Sequence, residues 1–371
     1  MNLQIKGIGN RKELKDFVTF PWIIYRDDPF WVPPIISDRM KFLDKNKGAY
    51  FTLGEAEHFM AFDGDHPVGR ISAHINSQYE KYHDRETGFF GFFESINNPL
   101  VARALLEGAE TWLRGKGKTR ILGPMNFTIY DDSGMLYEGF DSLPVVLLAY
   151  NPSYYNDLLV DAGYKKAIDW YAFMVDKQAP IDAKLYKIRD RVLRQKDLKI
   201  ITADMKKLKE QAQYVGQIFN EAWMENWGHV PLTNEQLDHF VEELKLVIVP
   251  ELTYLAFIKD KCVGMSLTLK DANPAVKKAN GRLFPFGLFK IMREMKKIKR
   301  LRTIAMGVLK EYRHRGIDLA FYLNTIEQGT KMGFTESECS TIVETNTRMI
   351  GALEDLYARK YKTYRFYEKS I

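Results

Sequence analysis

Residues 308–320, VLKEYRHRGIDLA, constrain the fold of this chain more than any other stretch. They follow an apolar run, Ile304, Ala305 and Met306, and lead into a helical pattern carried by Leu319, Tyr322, Leu323 and Ile326. A strand, a tight basic turn with one glycine, and the start of a helix is the order that turns backbone N–H groups toward a phosphate. Arg313 and Arg315 would add neutralising charge around Gly316. Asp318 works against them, because a carboxylate beside a diphosphate costs on the order of 1 kcal/mol at surface dielectric. The same residue also suits the first turn of a helix. An ordinary strand-to-helix turn with solvated arginines is the alternative reading.

The chain has 371 residues, which is long for one core and suits two domains. Hydrophobic and aromatic contents of 46% and 13% are enough for both to bury cores. A formal charge of +6 fits anionic small molecules or acidic partners, and nucleic acid is not expected. Cys262 and Cys339 are far apart and no His/Cys cluster has zinc spacing. Reduced thiols in the cytoplasm are therefore expected, with no metal. The start of the chain lacks the apolar core of a signal peptide, and the longest apolar run, 143–150, is too short to span a membrane.

A polar segment at 176–183, DKQAPIDA, divides the chain into domains expected at 1–178 and 179–371. In the first, hairpin strands at 57–62 and 68–75 precede a strand at 88–94, a helix at 100–113, a strand at 119–123, a helix at 152–162 and a strand at 168–175. In the second, a strand at 198–202 and a helix at 208–223 precede a hairpin at 252–258 and 262–269. A strand at 302–308, a helix at 317–332, a strand at 339–345, a helix at 350–360 and a strand at 364–367 follow. The fold class expected is α/β, each half a mixed central sheet flanked by helices. The halves read as distant copies of one unit.

Residues 198–371 resemble a single domain of the GNAT (GCN5-related N-acetyltransferase) superfamily. The resemblance is carried by Val308, Tyr312, Arg313, Arg315, Gly316, Ile317 and Leu319, then by Asn346 and Tyr357. The order Arg313-x-x-Gly316-x-Asp318 is similar to that family's pyrophosphate loop, with Asp318 where the family normally has Gly or Ala. The resemblance implies acetyl-CoA or another acyl-CoA as substrate. It implies that the strand at Met306, Gly307 and Val308 pairs with the pantetheine amide, and that the amides of His314, Arg315, Gly316, Ile317 and Asp318 cradle the pyrophosphate. It further implies that Asn346 contacts the cofactor arm and that Tyr357 protonates the departing thiolate. The full chain also resembles a bacterial family of tandem GNAT-like proteins, on PFWVPP at 29–34, GPMNFTIYDDSGMLYEGFD at 123–141, NPSYY at 151–155 and EAWMENWGHVP at 221–231.

The first half has no phosphate loop. Ser95, Ile96, Asn97, Asn98 and Pro99 connect its strand and helix with neither glycine nor cation, so it reads as a degenerate GNAT-like domain. Trp223, Asn226 and Trp227 form an aromatic-polar knot that either lines an acceptor pocket or anchors a loop; His229 is a weak base candidate. Asp131, Asp132, Glu138 and Asp141 lack the ligand alternation of a calcium loop and serve an acceptor amine or cap the loop. The aromatic residues between Phe17 and Trp31 are expected to pack across the two halves.

The run 290–302 holds seven cations and one acid, Glu294, interleaved with apolar residues. It reads as a core-facing helix with solvated lysines, or as a grip for a CoA phosphate, an acyl carrier protein or a membrane surface. The expected function is acyl-CoA-dependent N-acyl transfer, acetyl transfer first, to a small-molecule or peptide amine. A non-catalytic ligand-binding protein, and a transferase using acyl carrier protein or aminoacyl-tRNA, remain open.

Overall fold

The computed structural model describes residues 2–371. The strands are β1 (Leu3–Gly7), β2 (Gly54–Asp63), β3 (His66–Asn76), β4 (Thr87–Ser95), β5 (Arg120–Gly123), β6 (Met135–Glu138), β7 (Lys165–Asp176), β8 (Leu198–Thr202), β9 (Tyr254–Ile258), β10 (Lys261–Lys270), β11 (Arg300–Val308), β12 (Glu336–Val343) and β13 (Arg359–Ser370). The helices used below are α1 (Pro99–Gly115), α2 (Leu208–Ala222), α3 (Gly287–Met295), α4 (Ile317–Lys331) and α5 (Thr347–Glu354). The described residues divide into two compact units, one of residues 2–170, 273–296 and 362–371, the other of residues 171–272 and 297–361.

In the first unit the strand order is β1-β2-β3-β4-β5-β13. Neighbours from β1 to β4 are antiparallel, β4 and β5 are parallel, and β13 is antiparallel to β5. Alternation along the strands sorts side chains onto two faces. Ala61, Ile71 and Phe90 meet the buried stripe of α1, Val101, Ala102, Leu105, Leu106 and Ala109. Met60 meets Phe17, Val18, Leu43, Phe92 and Phe127 on the other face. Phe92 leaves the face of Phe90 because the β3/β4 register shifts there and Phe92 takes a φ of 50°. Each leucine so buried on α1 contributes roughly 1.5–3 kcal/mol.

The aromatic stretch packs into the first unit's core and also meets residues 273–281, which come from the second half of the sequence but belong to the first unit. Phe17 and Phe20 are core residues, and Tyr25 stacks on Trp31 at 4.8 Å between centroids. Trp22 and the carbonyls around Trp31 then receive residues 273–281. Trp22 Nε1 donates to Asn280 Oδ1 at 3.0 Å, and Lys277 Nζ donates to the carbonyls of Pro29 and Trp31 at 2.6 and 2.7 Å. Gly281, at a φ of 78°, lies so close that a Cβ would stand 2.4 Å from the Trp22 ring. The PFWVPP motif is thus the seat for a segment from the middle of the chain.

The second unit orders β8-β9-β10-β11-β12, antiparallel except for the parallel pair β11/β12. On one face Ile317, Ala320 and Phe321 of α4 pack on Tyr254, Ala256, Ile258, Val263 and Val308. On the other, Ile218 of α2 packs with Leu255, Cys262, Met265 and Leu309. Adjacent Leu255 and Ala256 serve opposite faces, as a strand period of two requires.

The units are not contiguous in sequence, whereas a break at 178/179 is what the polar segment suggests. From Lys362 the last strand belongs to the first unit, pairing Tyr367↔Gly123 through Ser370↔Arg120, and residues 171–176 belong to the second. A polar turn marks where the chain bends and carries no information about a strand's partner. The helix expected over 350–360 is α5, which stops at Glu354. Tyr357 turns the chain at a φ of 56°, and the alternating RKYKTYRFYEKS enters β13.

Candidate functional site

In the second unit β11 pairs with β10 as far as Gly264↔Val308, but with β12 only from Arg300↔Glu336 to Thr303↔Cys339. Beyond Thr303 the two parallel strands part. Residues 304–307 are half-buried, and alternate residues of a strand direct N–H and C=O to such an opened edge. Met306, Gly307 and Val308 lie on it. Trp223 covers one of them: a Cβ on Gly307 would stand 2.4 Å from its ring, and Phe219 stacks on the indole at 4.8 Å. The knot at 223–229 is a series of turns, with Asn226 N–H on Trp223 O at 2.8 Å and His229 N–H on Asn226 O at 3.1 Å.

Past Val308 the chain winds through a 3₁₀ helix, Lys310–Arg315, to Gly316 and α4. Gly316 sits at a φ of 74° and has no side chain to cap the helix. The first-turn N–H groups of Ile317 and Asp318 have no intrahelical acceptor. Asp318 Oδ1 accepts the Leu319 N–H at 3.0 Å, and its Oδ2 lies 3.6 Å from Arg348 Nη2. Arg348 also donates to Arg313 O at 3.0 Å. The carboxylate is therefore partly neutralised, and the start of α5 is held against the turn.

Both arginines of the turn are engaged internally. Arg313 donates to Val308 O at 3.2 Å and Ala222 O at 3.1 Å. Arg315 forks onto Asp197 at 2.8 and 2.9 Å and reaches Gln195 Oε1. They brace the turn, on which Lys310, Glu311 and His314 are exposed. Asn346 caps α5, accepting the Met349 N–H at 3.2 Å. Tyr357 is 57% exposed, between buried Leu353 and Leu356 on one side and β13 on the other. The structure thus gathers Met306, Gly307, Val308, Trp223, Arg313, Gly316, Ile317, Asp318 and, through Arg348, the helix that Asn346 caps. Arg315 points to Asp197.

Sequence reasoning missed Glu338, which is fully buried where β11 and β12 part. Ser340 Oγ donates to its Oε2 at 2.7 Å, Tyr361 OH to its Oε1 at 3.4 Å, and Arg302 Nε stands at 3.5 Å. Burial raises its pKa, while Arg302 pulls it back. The sequence signal was limited to Glu338 and Ser340 sharing one face of a strand; Arg302 stands opposite only once the β11/β12 register is set.

The first unit shows the same parting, but its own chain fills it. β4 pairs with β5 only from Thr87↔Arg120 to Phe89↔Leu122. Then Met125 N–H donates to Phe90 O at 2.7 Å, and Phe92 N–H donates to Asn126 Oδ1 at 2.7 Å. A Cβ on Gly91 would stand 2.0 Å from Met125 O. The start of α1 is closed as well: Asn98 accepts the Leu100 N–H, Pro99 has none, and Ser95 N–H donates to Tyr155 OH. Asp131 is an internal latch, accepting hydrogen bonds from the N–H and the hydroxyl of Thr128, its carboxyl pushed up to about 7 by burial. Among the described residues no group of three or more His, Cys, Asp or Glu is placed to hold a metal ion, and no helix is long and apolar enough to cross a membrane.

No protein-family model matches the chain. It is 33% identical over 375 residues to Protein YghO of Escherichia coli (strain K12), covering 99% of this chain and 95% of that protein. It is 31% identical over 383 residues to a protein of Caulobacter vibrioides described as bacterial ceramide synthase, covering 100% and 98%. Among solved structures it is similar to a tandem GNAT protein from the clavulanic acid biosynthesis pathway, with a TM-score of 0.57, 12% identity and 99% and 98% of the chains covered. A GCN5-related N-acetyltransferase from Sphaerobacter thermophilus has a TM-score of 0.54 at 12% identity, over 100% and 96% of the chains. The fold is that of tandem GNAT acyltransferases, and the chain belongs to the tandem GNAT family that includes Protein YghO and the bacterial ceramide synthase.

Proposed function

We propose that this protein transfers an acyl group from an acyl-CoA thioester to the primary amine of a long-chain amino alcohol. The observation that carries the reading is the opened edge of β11 beside the uncapped turn at Gly316. N–H groups along 304–308 would pair with the pantetheine arm and polarise the thioester carbonyl. The amides of Ile317 and Asp318, at the positive end of α4, would hold the pyrophosphate. As the amine nitrogen forms its bond to the acyl carbon and the C–S bond breaks, the amine must lose a proton and the thiolate gain one. Glu338, its pKa raised by burial and joined to Ser340, is our proposed proton acceptor. Tyr357 is the proposed donor. Trp223, lying over Gly307, would border the acyl group.

The acceptor class rests on the Caulobacter relative. Ceramide is the amide of a fatty acid with a long-chain amino alcohol, and similarity to that protein extends along the whole chain. A second reading, ligand binding without turnover, is favoured by the Asp318 carboxylate at the phosphate turn. Thiol release from acetyl-CoA and palmitoyl-CoA, each with a sphingoid base and with a short amine, separates the readings. Release from palmitoyl-CoA dependent on the sphingoid base supports the proposal. Binding of CoA without release across the panel supports the second reading.

A further inference from the structure

The first unit carries a surface that acyl transfer does not explain. Around α3, Phe284 is 79% exposed, Phe286 69%, Leu288 47%, Phe289 69% and Met292 60%. Large apolar residues elsewhere on the surface, such as Leu100 and Val160, are scattered. Here they fall within a few residues of one another, which a water-facing surface does not favour. Arg282, Lys290, Arg293 and Lys296 are exposed among them, and the helix's acid, Glu294, is half-buried.

The mount is built to hold this face outward. Gly287 is buried so tightly that a Cβ would stand 1.7 Å from Arg282 O. Just before it, Ala275 and Ala279 are buried, Lys277 is fastened to Pro29 and Trp31, and Asn280 to Trp22. A fastened, short amphipathic helix with phenylalanines at its tip and cations around them is matched by a bilayer surface. The rings suit the acyl-chain boundary and the cations suit anionic headgroups.

We propose that residues 284–296 form a docking face for anionic membrane surfaces, with Phe286 and Phe289 entering the headgroup boundary and Lys290, Arg293 and Lys296 pairing with lipid phosphates. Charge selects this occupant over an apolar protein groove, because the exposed rings are ringed by cations. The inference does not rest on the acyl-transfer reading, since lipid binding is read without turnover. It would bring a membrane-embedded amine to the enzyme if that reading holds.

The test is co-sedimentation of the full chain with vesicles of phosphatidylcholine alone and of phosphatidylcholine mixed with phosphatidylglycerol. The expected result is binding to the mixed vesicles that weakens with salt. The doubly substituted Phe286→Ser/Phe289→Ser protein should bind at least about tenfold more weakly. Each of Lys290→Gln, Arg293→Gln and Lys296→Gln should cost about fivefold. Circular dichroism and thermal unfolding confirm folding of each variant, and Lys290→Gln, which leaves the apolar face intact, keeps the test decisive if the serine variant is unstable. Equal binding of wild-type and variants to mixed vesicles overturns the proposal. So does a concentration-dependent dimer that the serine substitutions dissolve, or binding to acyl carrier protein with none to vesicles.

Discussion

Replacing Asp318 with Asn isolates the charge that stands against a phosphate at the Gly316 turn. Asn keeps an oxygen at the Oδ1 position, so the 3.0 Å cap on the Leu319 N–H survives. Two unit charges about 6 Å apart interact by about 0.7 kcal/mol in bulk water and about 2.8 kcal/mol at an effective dielectric of about 20. Asp318 is 38% exposed and faces Arg348, which places the effect toward the lower figure. The expected gain is about 1 kcal/mol, or about fivefold in CoA affinity. Titration calorimetry with CoA at low and high salt measures it, and the gain should shrink as salt rises. Arg348→Gln should move affinity the other way, because it removes the neutralising partner. Unchanged affinity in Asp318→Asn would place the phosphates away from this turn. A loss would mean that the Asp318–Arg348 pair, which Asn weakens, holds the turn in its binding shape.

Other substitutions probe the turn, the buried carboxylate and the buried histidines. Gly316→Ala puts a Cβ at a φ of 74° and 2.8 Å from Val192 Cγ2, costing at least about 1–2 kcal/mol; thermal unfolding should show the loss together with weaker CoA binding. Glu338→Gln should lower kcat about a hundredfold while sparing CoA affinity, and an unchanged kcat would remove Glu338 from the reaction. Burial pushes the imidazoles of His58 and His74 down, to about 4 and about 3. Their contribution to stability is complete above about pH 6.5 and is lost as pH falls through about 4 for His58 and about 3 for His74, about 3 kcal/mol for His58 alone. His74→Phe keeps the ring against Phe89 and Phe127 and should flatten the fall in denaturant stability between pH 6 and 4; an unchanged slope would contradict this.

Much of the fold was legible because local periodicity carries it. The hairpins at Gly64 and at 259–260, the buried stripe of α1 and the strand-turn-helix at Gly316 all appear as read. What was not legible depends on partners remote in sequence. No local pattern tells the RKYKTYRFYEKS strand to pair with Arg120–Gly123, or residues 273–296 to seat on Trp22 and Trp31. Arg313 and Arg315 read as phosphate ligands because their acceptors, Ala222 O and Asp197, lie about a hundred residues away. Glu338 escaped because a carboxylate in a strand reads as an edge residue until Arg302 is placed opposite it. The exposed phenylalanines on and just before α3 read as core because amphipathic spacing does not say which face is covered.

One CoA is expected to bind per chain, in the opened edge of the second unit, because the matching place in the first unit is closed by its own chain. Calorimetric titration of CoA into the intact protein tests this directly when repeated on Gly307→Leu, whose side chain would invade the Trp223 ring and the strand edge. One CoA bound per chain is expected, with binding lost in the variant while circular dichroism shows the fold retained. No binding at millimolar CoA, two sites per chain, or undiminished binding in Gly307→Leu would contradict it.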